Sequence, residues 1–82
     1  MSKPQGITRR SPDGLVAYTI APTKGGVHVE RVRHVSTARY LLSARFHDEA
    51  SFTRWCRADG LRLEYPFLLL EVERNGRALF AA

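Results

Sequence analysis

Between Ala38 and Gly60 the hydrophobic period changes from two to 3.6, and that change constrains the fold more than any other feature of the chain. Tyr40, Leu42, Ala44 and Phe46 alternate with Arg39, Leu41, Ser43 and Arg45. Period two predicts a strand with one apolar face and an opposite face bearing Arg39 and Arg45. The next segment, DEASFTRWCRADG at 48–60, reads as a helix. Asp48 is placed to accept bonds from the unpaired N–H groups of a first turn. Glu49 lies near the positive end of the helix dipole, and Arg54 and Arg57 lie toward the negative end. Phe52, Trp55 and Cys56 form an apolar stripe at helical spacing, with Ala50 behind them. Gly60 suits the left-handed position just past a helix end.

Strand signals fill the rest of the chain. Pro12-Asp13-Gly14 marks a turn. LVAYTIA, 15–21, is rich in residues that fit a pleated surface and stops at Pro22. Lys24-Gly25-Gly26 can supply the positive φ of a hairpin turn, and a second strand starts at Val27. Alternation fails there, because Val27 and Val29 are followed by Val32 and Val35. A bulge between Val29 and Val32 restores a common apolar face and turns Arg33 toward solvent. A helix over 29–42 is the competing reading, disfavoured by its valines and the preceding double glycine. Ser36-Thr37 then turns the chain into the strand at 39–46. After Pro66, Leu68, Leu70 and Val72 alternate with Glu71 and Glu73, and Asn75-Gly76 is a strong type I′ turn signal. A C-terminal hairpin is expected, with Val72 facing Leu79.

The expected fold is therefore α+β: a small antiparallel sheet of about five strands in the order β-β-β-α-β-β, with one helix on its apolar face. Tyr40, Leu42, Leu70 and Val72 would meet Phe52 and Trp55. Residues 1–12 hold two prolines and few large apolar side chains, and read as a flexible basic arm. Residues 13–82 read as a single domain, a monomer or a homodimer, and any dimer contact would add useful burial to so thin a core.

Several function classes find no support. No stretch has the length and apolarity of a membrane span, and the first residues lack the apolar core of a secretory signal. A cytoplasmic protein is the expectation, with Cys56 as its one cysteine, reduced and buried. His28, His34, His47 and Cys56 have no metal-ligand spacing. Glu71 and Glu73 share a predicted face, but nothing implies a pocket that would tune them as acid and base. Tyr18, Tyr40 and Trp55 belong to apolar stripes, so core roles outweigh base stacking. Tyr65, in a loop before Pro66, is the freest aromatic. No enzyme activity, cofactor or metal is expected.

Charge is the remaining clue. Residues 1–47 carry eight Lys and Arg against Asp13 and Glu30, whereas residues 48–82 carry five Arg against six acids. A locally basic half suits phosphates or an acidic partner. The expected function is a non-enzymatic binding module that contacts nucleic-acid backbone through an arginine-rich sheet face. Its contact residues would be Arg31, Arg33, Arg39 and Arg45, with Arg9 and Arg10 at the root of the arm. The alternative is a protein-interaction or assembly subunit, adaptor or inhibitor-like, that docks on an acidic protein. The plain counter-reading is a solvated face, since arginine outnumbers lysine 11 to 2 throughout.

Overall fold

The computed structural model describes residues 6–81. Four strands, β1 (Ile7–Arg10), β2 (Val16–Thr23), β3 (Gly26–Val35) and β4 (Ala38–Phe46), precede three helices, α1 (Glu49–Ala58), α2 (Leu61–Glu64) and α3 (Pro66–Ala81). The strands form one antiparallel sheet in sequence order, so every connection is a short turn between neighbours. All three helices lie on one side of it. α3 packs across β1, β2 and β3, and α1 lies beside α3 over β4. The fold is α+β, as the change of period implies, with four strands rather than about five and three helices rather than one.

Each turn has a local cause. Gly14 (φ 75°) and Gly25 (φ 92°) take the left-handed conformations of the first two turns. Ser11 donates its hydroxyl to Asp13 at 2.5 Å, and Asp13 also accepts the Leu15 N–H at 3.0 Å. These bonds hold the Asp13 carboxyl below its ordinary value of 3.8, the Ser11 hydroxyl contributing most. Ser36 makes the third turn at φ 56°, a conformation that costs an L-residue about 1–2 kcal/mol. Ser36→Gly should remove that cost and loosen the unfolded chain by roughly 0.5–1 kcal/mol. The net expectation is a gain of about 0.5 kcal/mol, read from urea midpoints. A loss would mean that the serine side chain holds the turn.

The inner face of the sheet builds the core. Val16, Tyr18 and Ile20 of β2 and Val27 and Val29 of β3 are buried, and they meet Phe52, Cys56, Leu61, Leu68, Leu69 and Val72 from the helices. Phe46, at the end of β4, stacks edge-on against Phe52 at 5.5 Å and tilts against Trp55 at 5.3 Å. Asp48 caps α1, its carboxylate accepting the Ser51 N–H at 2.7 Å. That bond lowers the carboxyl from its ordinary value.

The structure corrects five expectations. First, residues 66–81 are a helix, not a hairpin. Leu68, Leu69, Val72 and Gly76 are its buried positions, at helical spacing. Asn75 donates its side-chain N–H to the Glu71 carbonyl one turn back, at 2.8 Å. Gly76 is buried against Phe52, where a Cβ would overlap the ring. Second, β3 has no bulge and is not helical. Val16–Thr23 pair one-to-one with Arg33–Gly26, and Val27–Val35 pair one-to-one with Phe46–Ala38. Strict alternation therefore continues past Val29 as Arg31 and Arg33, and Val32 faces the other way. Third, Tyr40 is 60% exposed, because the helices do not reach the distal half of β4, and Leu70 is also exposed. Fourth, residues 7–10 of the expected arm form β1, since Ile7 and Arg9 supply inner-face side chains opposite Ile20 and Tyr18. Residues 1–5 lie outside the described residues. Fifth, Gly60 is right-handed (φ −61°), because the chain turns directly into α2.

Candidate functional site

The parity of the strands sorts the six candidate arginines into two groups. Arg9, Arg31 and Arg33 fall on the inner face, at positions paired with Tyr18, Leu42 and Tyr40. Each reaches an acid of the helical layer: Arg9 to Glu71 at 3.3 Å, Arg31 to Asp59 at 3.1 Å and Arg33 to Glu64 at 3.2 Å. The basic half of the sequence is the sheet and the acidic half is the helices. Part of the charge asymmetry is therefore interlayer pairing.

The Arg31–Asp59 pair is the most enclosed of these, with side-chain exposures of 22% and 5%. Asp59 also accepts the Tyr18 hydroxyl at 2.9 Å and the Leu61 N–H at 2.9 Å. Tyr18 is fully buried, and desolvation pushes its phenol well above its ordinary value. Tyr65 is not free either. Its hydroxyl donates to Asp13 at 2.7 Å and ties the β1–β2 turn to the start of α3.

Arg10, Arg39 and Arg45 fall on the opposite face, which no helix covers and where no residue is buried. Among the described residues no carboxylate lies within salt-bridge distance of any of them. Arg39 and Arg45 lie about 20 Å apart along β4, and Arg10 lies three strands, about 14 Å, across the sheet. His28 and His34 share this face by the same parity. His28 bonds Ser43 through Nε2 at 2.6 Å, and its Nδ1 lies 3.9 Å from Glu30. Glu30 is the one acid here. The floor between the arginines is short-chained: Thr8 and Thr19, whose hydroxyls bond at 3.0 Å, with Ala17, Val32, Leu41 and Ser43. The face can neutralise anions spread over about 20 Å. Among the described residues its only aromatic rings are the imidazoles of His28 and His34, with no Phe, Tyr or Trp.

Other surfaces are less suited to an anion. A groove between α1 and α3 is lined by Arg54, Arg57 and Arg77, but Arg57 is paired with Glu73, and Arg77 with Glu49. Cys56 is buried, and desolvation pushes its thiol up to about 12, far from a nucleophile's range. Among the described residues no three His, Cys, Asp or Glu side chains converge as metal ligands, and no helix is long and apolar enough to cross a membrane. No protein-family model, curated protein or solved structure matches the chain.

Proposed function

We propose that the protein is a small non-enzymatic binding module whose open sheet face contacts the phosphate backbone of nucleic acid through Arg10, Arg39 and Arg45. One observation carries this reading. The inner arginines are committed to helix acids, whereas the outer three share a face with a single acid, Glu30. Unpaired guanidiniums spread over a flat surface suit a polyanion, and each phosphate neutralised releases counterions. The lack of a base-reading helix, and of any Phe, Tyr or Trp among the described residues of that face, implies weak, sequence-independent binding. Arg9, Arg31 and Arg33 support the fold in this reading and do not touch the ligand. A cytoplasmic location and the absence of a cofactor belong to the same proposal.

A protein partner is the second reading, favoured by exposed apolar side chains. Leu63 is 91% and Phe67 81% exposed at the α2–α3 junction, and Leu41 is 68% exposed among the outer arginines. An acidic protein with an apolar centre would fit these features.

Titration of labelled duplex and single-stranded DNA and RNA over a salt series separates the two. Replacing Arg10, Arg39 and Arg45 together by glutamine should preserve folding and reduce the slope of log K against log salt by about two to three units. Arg54→Gln, on the helical layer, should leave the slope unchanged. If the wild type binds no nucleic acid even at about 50 mM salt, where phosphate contacts are strong, the protein-docking reading takes its place.

A further inference from the structure

The two edges of the sheet are unlike. β1 is four residues long, is packed by α3, and directs Arg9 into an ion pair with Glu71. β4 is nine residues long and pairs with β3 without interruption, and its other side is free among the described residues. It lacks most of the devices that blunt an edge, having no proline, no bulge, no lysine and no inward charge, and its two charges, Arg39 and Arg45, stand six residues apart on the outer face. Instead Tyr40 (60% exposed) and Leu41 (68% exposed) occupy its middle, on opposite faces.

The backbone of this edge is also set out for pairing. Ser36-Thr37 is a two-residue turn, so Val35 and Ala38 form its hydrogen-bonded closing pair. His34, one step on, sends its N–H to Leu15 and not to β4, as alternation requires. Continuing that alternation directs the N–H and C=O groups of Arg39, Leu41, Ser43 and Arg45 outward. These four are the outer-face residues of β4.

We propose that β4 is a self-pairing edge that joins two copies of this chain, antiparallel about a two-fold axis at Leu41, into a continuous eight-stranded sheet. The register follows from the side chains. For two copies of one strand, residue i must meet a partner residue of the same parity, or the two sheet faces would be exchanged. Centring the pair on Leu42 would set Arg39 directly against the partner's Arg45 twice, and like charges in register repel. Centring it on Leu41 sets Leu41 against the partner's Leu41, Tyr40 against the partner's Leu42 and Ala38 against the partner's Ala44. Arg39 then meets the partner's Ser43, and Arg45 meets the partner's Thr37. Residues 37–45 are paired with no like charges opposed, and both exposed apolar side chains gain apolar neighbours. The axis stands perpendicular to the sheet, so the helices of both copies share one side and the open faces join. Nothing in this pairing requires nucleic acid.

Sedimentation equilibrium over a wide concentration range tests it. The wild type should approach twice the 9.3 kDa chain mass. Leu41→Lys, at an exposed position, should return the mass to that of one chain while leaving the chain folded, with its far-UV circular dichroism unchanged and a thermal midpoint that no longer depends on protein concentration. Leu41→Cys should form a covalent dimer on mild oxidation, since residues directly opposite fall within disulfide reach. Ser43→Cys should not, because its two copies would lie four residues apart along the pair, roughly 14 Å. Buried Cys56 does not interfere. A wild type that stays monomeric at about 1 mM overturns the proposal, as does a dimer that survives Leu41→Lys or a cross-link at 43 in place of 41.

Discussion

Gly76→Val is expected to destabilise the protein by about 3 kcal/mol or more, a large share of what holds a domain of this size together. The cause is the crossing of α1 and α3. Gly76 sits in the interior of α3, and a Cβ there would overlap the ring of Phe52. That ring cannot retreat easily, because Phe46 stands at 5.5 Å on one side and Phe80 at 5.9 Å on another. Two effects oppose each other in the smaller change, Gly76→Ala. Alanine gains about 1 kcal/mol in helix propensity. Overpacking costs about 1–3 kcal/mol. Overpacking should win, so Gly76→Ala should also lower the urea midpoint, by less than valine does. In a Phe52→Ala background, where the ring is gone, the sign should reverse and alanine at 76 should stabilise. An unchanged midpoint for Gly76→Val would mean that the helices separate freely there.

The same glycine explains why residues 66–81 read locally as a hairpin yet fold as a helix. Leu68, Leu70 and Val72 satisfy period two, and Leu68, Leu69 and Val72 satisfy period 3.6, so a short apolar run fits both. Asn75-Gly76 then tips the local reading toward a hairpin. What decides otherwise is tertiary: Gly76 is needed where two helices touch, and its partner Phe52 is 24 residues upstream. The available signal was Pro66, which suits a first helical position, since the 16 residues from Pro66 to Ala81 accommodate either a helix or a hairpin. By contrast, the strand at 39–46 and the Asp48-capped helix were legible because each rests on local chemistry.

The candidate site was half legible for a related reason. An even separation places Arg39 and Arg45 on one face of any strand that contains both, and β4 keeps them on one face. Arg31 and Arg33 look like an interruption of a valine pattern, which invites a bulge. They are instead regular inner-face positions, opposite acids that lie 28 and 31 residues further along the chain. Nothing near residue 31 announces Asp59. The global pattern did carry a hint, since a basic sheet half followed by an acidic helical half is what two oppositely charged layers look like in sequence. Arg10, assigned to a loose arm, joins the outer face because Arg9 and Ile7 fix the parity of β1.

Asp59→Ala should cost about 2–4 kcal/mol, because one carboxylate serves three donors. Its side chain is 5% exposed and accepts from Arg31 at 3.1 Å, from the Tyr18 hydroxyl at 2.9 Å and from the Leu61 N–H at 2.9 Å. Removing it leaves the hydroxyl of fully buried Tyr18 without its acceptor and the Arg31 charge without its counter-ion. A fully buried pair broken on one side would cost about 3–5 kcal/mol. The figure is lower here because Arg31 is 22% exposed and can draw in water. Asp59→Asn should cost about half as much, since one oxygen still accepts. Tyr18→Phe provides the decisive comparison. In the wild type it removes a satisfied hydroxyl and should cost about 1 kcal/mol. In the Asp59→Ala background it removes an orphaned one, so the double variant should be as stable as Asp59→Ala or more so. Urea unfolding of the four proteins measures that coupling, expected to be at least about 1 kcal/mol. Strictly additive losses would mean that Tyr18 and Asp59 hold the layers together independently, and that the acid at the end of α1 is an exposed cap and not the centre of the interface.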